Sequence, residues 1–281
     1  MLVLRSVSEL CEWRTELATQ GRSVALVPTM GYLHDGHLAL MREGRRRIPP
    51  ARGELAISIF VNPTQFNDPA DLRSYPRDEA GDLARAESVG VDVAFVPDDG
   101  QLYAPAASTF VEVGGLDEHL CGATRPGHFR GVCTIVAKLW QLFQPSVGLF
   151  GQKDYQQLAI VQRMHRDLFW SGEVVGVATV REPDGLALSS RNARLGPSAR
   201  AAAVAIPRFL DRVRERHAAG QREAASLIAG AEQALAPGRI HYVSVVDAEQ
   251  LQPVEQVDRP TLVAVAVFFD GVRLIDNVLL G

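Results

Sequence analysis

The stretch "VPTMGYLHDGHLALMREGRRR", residues 27–47, joins an apolar run to a helical one and sets two histidines three residues apart at the junction. With the residues before it, "SVALVPT" reads as a buried strand, and the span from about 36 to 47 reads as a helix. A strand, a short loop and a helix N-terminus make the place where open parallel sheets bind nucleotides, because backbone N–H groups and the positive end of the helix dipole face the ligand there. His34 and His37, at i and i+3, share one helix face. Imidazoles in that position can donate to an α-phosphate or a bridging oxygen as negative charge builds on it. Gly36 between them leaves space for adenine or ribose to approach the backbone. The plainer alternative is a glycine that eases a turn and a histidine pair that caps a helix or lies on the surface.

Outward from this junction the chain alternates. Ser6 and Glu9 form a capping box ahead of Leu10, Trp13 and Leu17, so a first helix is expected over about 6–20. After the histidine helix come the strand "LAISIFVNP", a helix over about 78–89 and the strand "VDVAFVP". Then follow "GVCTIVAKLWQLFQP" as helix, "VGLFG" as strand, "DYQQLAIVQRMHRDL" as helix and "EVVGVATV" as strand. Short apolar strands alternating with helices imply a Rossmann-like, doubly wound parallel sheet in an α/β protein. Beyond "REPDGLALSSRN" the character changes to two Ala-rich helical stretches, about 197–219 and 221–236, and three strands, with an Asp-Gly hairpin signal in "FFDGVRL". The expected organisation is a catalytic domain over 1–183 and a smaller C-terminal α+β domain over 184–281.

Bulk properties set limits. The 281 residues carry a formal charge of -4, with 47% hydrophobic and 22% charged residues, as an ordinary globular chain does. Nothing there favours a nucleic acid or an anionic membrane as partner. The start of the chain turns polar too early for a signal peptide, and the longest apolar run, "LVAVAVFF", is far too short to span a bilayer. A cytoplasmic protein is expected. Cys11, Cys121 and Cys133 match no zinc or redox spacing.

Two more loops carry cations. "GQKDYQQ", 151–157, follows a predicted strand and delivers Lys153 and Asp154 to the same carboxyl edge of the sheet. "LALSSRN", 186–192, offers Ser189, Ser190 and Arg191 near the domain junction. Two cation-bearing loops and a histidine pair suit a triphosphate. The alternative is that both cations are solvated surface charges.

"PTMGYLHDGH", "FVNPTQF", "YPRD", "RPGHFRGV", "GQKDYQQL" and "DGLALSSRN", in this order over about residues 26–195, resemble the motifs of the pantothenate synthetase family, the ATP-dependent pantoate:beta-alanine ligases. That family belongs with the HxGH nucleotidyltransferases and is related to class I aminoacyl-tRNA synthetases. The resemblance implies that (R)-pantoate attacks ATP to give pantoyl adenylate and pyrophosphate, and that beta-alanine then displaces AMP. It implies that Met30, Gly31, Tyr32, Leu33, His34, Asp35, Gly36 and His37 hold ATP. Gly151, Gln152, Lys153, Asp154, Val180, Leu188, Ser189, Ser190 and Arg191 would hold the nucleotide and its phosphates, with Asp154 on the ribose. His34, His37, Lys153, Ser189, Ser190 and Arg191 would be catalytic. Pro28, Asn62, Gln65, Gln157, Arg125 and His128 would line the pantoate side.

Where relatives carry two adjacent acidic residues after "YPRD", this chain has Gly81 and Asp82. Asp82 alone is left as the implied magnesium ligand, with ATP and Mg2+ as co-substrate and cofactor. A homodimer is implied too, with "ISIFV" or "TFVEV" as a possible interface strand. Two other readings stay open: a different adenylyl or cytidylyl transferase sharing His-x-Gly-His, and a catalytically silent nucleotide-binding module. Arg45–Arg47 are expected to end a helix in solvent, Trp140 to be core, and His165 and His217 to be solvated. His119 and His241 have no assignment.

Overall fold

The computed structural model describes residues 1–67 and 69–281, with the backbone alone for Asp71. Its contacts divide the chain into two compact units. One comprises Met1–Val113, Arg125–Gln152 and Ile160–Ala178; the other comprises Gly114–Thr124, Lys153–Ala159 and Thr179–Gly281.

The first unit is an α/β sandwich of Rossmann-like design. Its strands are β1 (Leu2–Leu4), β2 (Ser23–Thr29), β3 (Gly53–Ile59), β4 (Val93–Phe95), β5 (Val147–Gly151) and β6 (Glu173–Val177), in the order β1-β4-β3-β2-β5-β6, all parallel. Between them run α1 (Val7–Thr19), α2 (Asp35–Arg47), the short α3 (Pro69–Arg73), α4 (Glu79–Ser88) and the short α5 (Asp99–Leu102). The short α6 (Leu120–Thr124) belongs to the second unit, α7 (His128–Phe143) precedes β5, and α8 (Tyr155–Asp167), whose first turn counts with the second unit, connects β5 to β6. The chain proceeds from β2 to β3 and β4 on one side, then returns to β5 and β6 on the other. The switch point therefore lies at the carboxyl ends of β2 and β5, paired through Ala25 with Val147 and Leu26 with Gly148.

Val24, Ala25, Leu26 and Val27 are all buried, which is why β2 reads as an unbroken apolar run with no alternation. On one face Met41 and Leu38 of α2 pack with Val27, Leu55, Ile57 and Leu149. On the other, Trp13 and Phe95 meet Phe143 edge to face at 5.9 and 6.0 Å. Pro28 is tolerated in this central strand because the β5 pairing has already ended at Leu26. Ser6 and Glu9 cap α1 reciprocally as expected, an arrangement worth about 1 kcal/mol.

The second unit holds the antiparallel sheet β7 (Arg239–Asp247), β8 (Thr261–Phe269), β9 (Val272–Leu280). Asp270 and Gly271, at φ 48 and 76, make the tight turn that the Asp-Gly pair signals. One sheet face, with Val263, Val265, Val267 and Leu274, packs on Phe209, Leu210 and Val213. The two long helices expected here are each divided. Residues 197–219 form α9 (Pro197–Ala203) and α10 (Ala205–Ala218), because Pro207 lacks the N–H an unbroken helix needs and fits only in a first turn. Residues 221–236 form α11 (Ala224–Leu227) and α12 (Ala231–Leu235), parted by Gly230 at φ 76. No helix among the described residues is long and apolar enough to cross a membrane.

Candidate active site

The loop from β2 to α2 lies at the switch point and is held by its own neighbours. Gly31 and Tyr32 are consecutive left-handed residues, φ 80 and 52, and the second is not glycine. The Gly31 amide donates to Thr29 Oγ1 at 3.2 Å, and the amides of Tyr32 and Leu33 donate to the two carboxylate oxygens of Asp82 at 2.8 and 2.6 Å. The His34 amide donates to His37 Nδ1 at 3.2 Å, and His34 Nδ1 accepts from the Gly36 amide at 3.1 Å. His34 is thus the N-cap of α2 in a reciprocal box with His37.

Two expectations change here. Successive loop amides serve protein acceptors, so the backbone from Gly31 to His34 is no open phosphate cradle. Gly36 in this structure makes room for the ring of His34, whose Cε1 and Nδ1 would lie 2.8 and 2.9 Å from an added Cβ.

The two rings stand 4.1 Å apart, tilted by 38°. Each Nδ1 accepts a backbone amide, which assigns the neutral tautomer with its hydrogen on Nε2. Each imidazole then carries one N–H donor, and both donors stand at a helix N-terminus.

A second cluster in the same unit surrounds Gln65. Asn62, 1% exposed, donates to Gln65 Oε1 at 3.1 Å and to the Gly131 carbonyl at 3.0 Å, while its Oδ1 accepts from Thr64. Gln65 Nε2 donates to Met30 Sδ at 2.7 Å. His128 Nδ1 donates to the Gln65 carbonyl at 2.8 Å, so its Nε2 accepts from Arg125 Nη1 at 3.1 Å, and Arg125 Nη2 also reaches that carbonyl at 3.3 Å. Met30, Asn62, Gln65, Arg125 and His128, widely separated in sequence, form one network. Gly131 is required because a Cβ there would meet the Thr64 carbonyl at 2.5 Å.

The second unit gathers Lys153, Ser189, Arg191, Asn192 and Arg273 around one small cavity. Ser189 caps a 3-10 turn by accepting from the Arg191 amide at 3.2 Å, and Ser190 opens that turn. Val180 and Leu188 are joined by a backbone hydrogen bond of 2.9 Å. Among the described residues Lys153, its side chain 17% exposed, has only the distant Asp154 Oδ2 at 3.7 Å, and the Arg191 guanidinium has no hydrogen-bond or ion-pair partner. Asn277 Nδ2 donates to the Lys153 carbonyl at 3.0 Å and fixes where that lysine starts. Gln157 is half-buried. Its neighbour Gln156 is fully engaged, accepting from the amides of Cys121 and Gly122 and donating to the carbonyls of Leu116 and His119.

Sequence reasoning missed Arg273, Asp276 and Gln156. Asp276, 2% exposed, takes both Nη atoms of Arg181 at 2.6 and 3.0 Å and so anchors the 181–187 bridge. Arg273 donates to His241 Nδ1 at 3.0 Å and to Cys121 Sγ at 3.4 Å. The available signal for Arg273 and Asp276 was three polar residues, with Asn277 the third, in the otherwise apolar strand "VRLIDNVLL". His119, also unassigned, bonds Gln252 at 3.1 Å. His165 is not solvated: it packs edge-on to Trp140 at 5.0 Å with Nε2 buried. Arg45, Arg46 and Arg47 are paired with Asp92 and Glu43 rather than simply solvated.

The implied magnesium does not fit a protein-built seat. Among the described residues no three His, Cys, Asp or Glu side chains converge on a point. Asp82 is 3% exposed and both its oxygens bind loop amides. Burial raises its carboxyl from the ordinary value, and the Leu33 and Tyr32 amides oppose that rise.

Comparison with known proteins agrees with this geometry. The family model of Pantoate-beta-alanine ligase matches residues 2–279. The chain is 48% identical to the Pantothenate synthetase of Myxococcus xanthus over 99% of its length and 96% of that protein's, and 50% identical to that of Solidesulfovibrio magneticus over 99% and 97%. Among solved structures, Pantothenate Synthetase from Thermus thermophilus superposes with a TM-score of 0.91 at 43% identity, covering 99% of each chain. Pantoate-beta-alanine Ligase from Francisella tularensis, solved with Beta-gamma ATP and Beta-alanine, gives 0.81 at 30% identity over 99% of this chain and 97% of that one. A histidine pair capping the helix at the switch point and a match from the first strand to the last together place the chain in the pantoate-beta-alanine ligase family, whose activity, the synthesis of pantothenate, is its function.

Proposed function

We propose that His34 and His37 carry the first half-reaction, in which a pantoate carboxylate oxygen attacks the α-phosphorus of ATP and the bond to pyrophosphate breaks. The observation that supports this most is the mutual box of the two rings at the N-terminus of α2, at the switch point of the sheet. Charge grows on the α-phosphoryl oxygens in that step, and two fixed imidazole N–H donors stabilise it without reorganising. Lys153, Arg191, Ser189 and Ser190 take the β- and γ-phosphates. In the second step the amine of beta-alanine attacks the acyl carbon, the bond to AMP breaks, and the amine loses a proton as the amide forms.

ATP and beta-alanine as substrates are supported by the Beta-gamma ATP and Beta-alanine bound to the Francisella tularensis relative. The Gln65 network supplies amides that both donate and accept, as the hydroxyls and carboxylate of pantoate require. Gln157, Asp154, Val180 and Leu188 complete the proposed ligand set. Magnesium enters with the nucleotide, as ions that retain several waters do. Residues 1–183 act as the catalytic domain and 184–281 as a lid domain. The enzyme works in the cytoplasm as a homodimer. Of "ISIFV", Ile57 and Ser58 are paired on both sides within the sheet, whereas Phe110 of "TFVEV" is 54% exposed, which favours the latter as the interface strand.

Pyrophosphate exchange into ATP tests the reading. It is expected with pantoate and absent with amino acids or with no acid added. Exchange driven by an amino acid would select a different adenylyl transferase, and none at all would leave a nucleotide-binding module. Light scattering at twice the chain mass checks the dimer.

A further inference from the structure

The loop that presents the histidines contains an unusual juxtaposition. Gly31 and Tyr32 both have left-handed φ, and the next two amides, those of Tyr32 and Leu33, converge on one point as successive amides do around an anion. That point is already filled, by a residue 50 positions away in sequence from Tyr32: Asp82 Oδ2 takes the Tyr32 amide at 2.8 Å and Oδ1 the Leu33 amide at 2.6 Å. The fit leaves no slack, since a Cβ on Gly31 would stand 2.7 Å from Asp82 Oδ2 and 3.1 Å from Ile59 Cγ2. Leu33, 5% exposed, anchors the next step in the apolar core, and His34 follows as the cap of α2.

The left-handed φ of Tyr32 costs a non-glycine residue about 1 kcal/mol or more and persists only where the surroundings over-determine it. The Asp82 carboxylate is what over-determines it here. Gly81, in turn, fits beside the Asp78 cap of α4, where an added Cβ would lie 2.2 Å from Asp78 Oδ2.

We propose that Asp82 is a positioning residue for the adenylation step: its carboxylate occupies the amide concavity of the Gly31–Leu33 loop and thereby fixes His34 and His37, and it does not serve as a magnesium ligand. The inference rests on the ligase reading above and adds a role for a residue that touches neither substrate nor metal.

The test uses the full-length enzyme and its Asp82→Asn and Gly31→Ala variants. The second leaves the carboxylate in place but drives a methyl group against it. Pantoate-dependent pyrophosphate exchange is measured against free magnesium, with hydrogen exchange of the loop amides read on the same proteins. Both variants should lose about tenfold or more in kcat, as displaced catalytic groups do. The magnesium concentration for half-maximal rate should stay unchanged, and the Tyr32 and Leu33 amides should exchange faster. A rate restored by excess magnesium in Asp82→Asn would make the residue a metal ligand and overturn the proposal. Unchanged kcat in a folded variant would also overturn it. If Asp82→Asn does not fold, Gly31→Ala decides by the same criteria. Failure of the ligase reading would look different, because the unaltered enzyme would then show no pantoate-dependent exchange.

Discussion

The histidine loop of the first unit and the cation cluster of the second are both built from charged and polar side chains, yet they treat them in opposite ways. Around α2 almost every polar group has a protein partner: loop amides bind Thr29, Asp82 and His37, and Glu43 is bonded by both Arg46 and Arg47. In the second unit Lys153 lacks a close acceptor and the Arg191 guanidinium has none among the described residues, while their backbones are pinned by Asn277 and Ser189. The first region is organised to hold donors still. The second pins the backbones of its cations and leaves their charged ends without close acceptors among the described residues, as the proposed phosphate contacts require. The difference teaches that pre-organisation and binding capacity are separable, and that each should fail in its own way when altered.

The largest effect is expected at the histidines. His37→Ala should slow adenylation on the order of 100-fold or more, by loss of a fixed donor. His34→Asn, which keeps a good N-cap, should match that loss with little change in melting temperature. A fast His34→Asn enzyme would reduce His34 to a capping residue and break the comparison.

Next in size, Lys153→Met should lower pantoate-dependent exchange by about 10- to 100-fold while reaction of supplied pantoyl adenylate with beta-alanine suffers less. Its melting temperature, read by calorimetry, should hold or rise, because the ammonium has no strong partner to lose. A clear fall in stability would show that this charge is structural after all.

The smallest effect belongs to Glu43, held at about 2 chiefly by its hydrogen bond from Arg46, with Arg47 adding to it. A carboxyl depressed in the folded state contributes stability above its ordinary value of 4.5, and that contribution disappears as pH falls through about 2. Glu43→Gln should therefore cost under about 1 kcal/mol near neutrality, as surface pairs do, and flatten the acid side of the stability curve between those values. Denaturant midpoints taken from pH 7 downward measure both.

Local chemistry was legible where it is short-range. The Ser6–Glu9 box, the apolar strand at Ser23–Thr29, the Asp270–Gly271 turn and the histidine pair each depend on residues within a few positions, so spacing alone carries them. The division of 197–219 was readable in principle from Pro207, whose missing N–H is a local fact. His165 reads as solvated because its helix neighbours are charged, whereas its environment is set by Trp170, folded back on it at the helix end, and by Trp140, brought to it by packing.

By itself the sequence determined the alternating α/β plan, the order of the motifs and the histidine pair at a strand-to-helix junction, since periodicity and covalent spacing express those directly. Only the tertiary structure decided what each polar group is engaged with. Asp82 and Tyr32, or Arg181 and Asp276, lie 50 and 95 residues apart, and nothing in their local spacing distinguishes a carboxylate that binds amides from one that could bind a metal. That choice depends on burial and on which donors reach the oxygens at hydrogen-bond distance, and both come into being only when the chain folds.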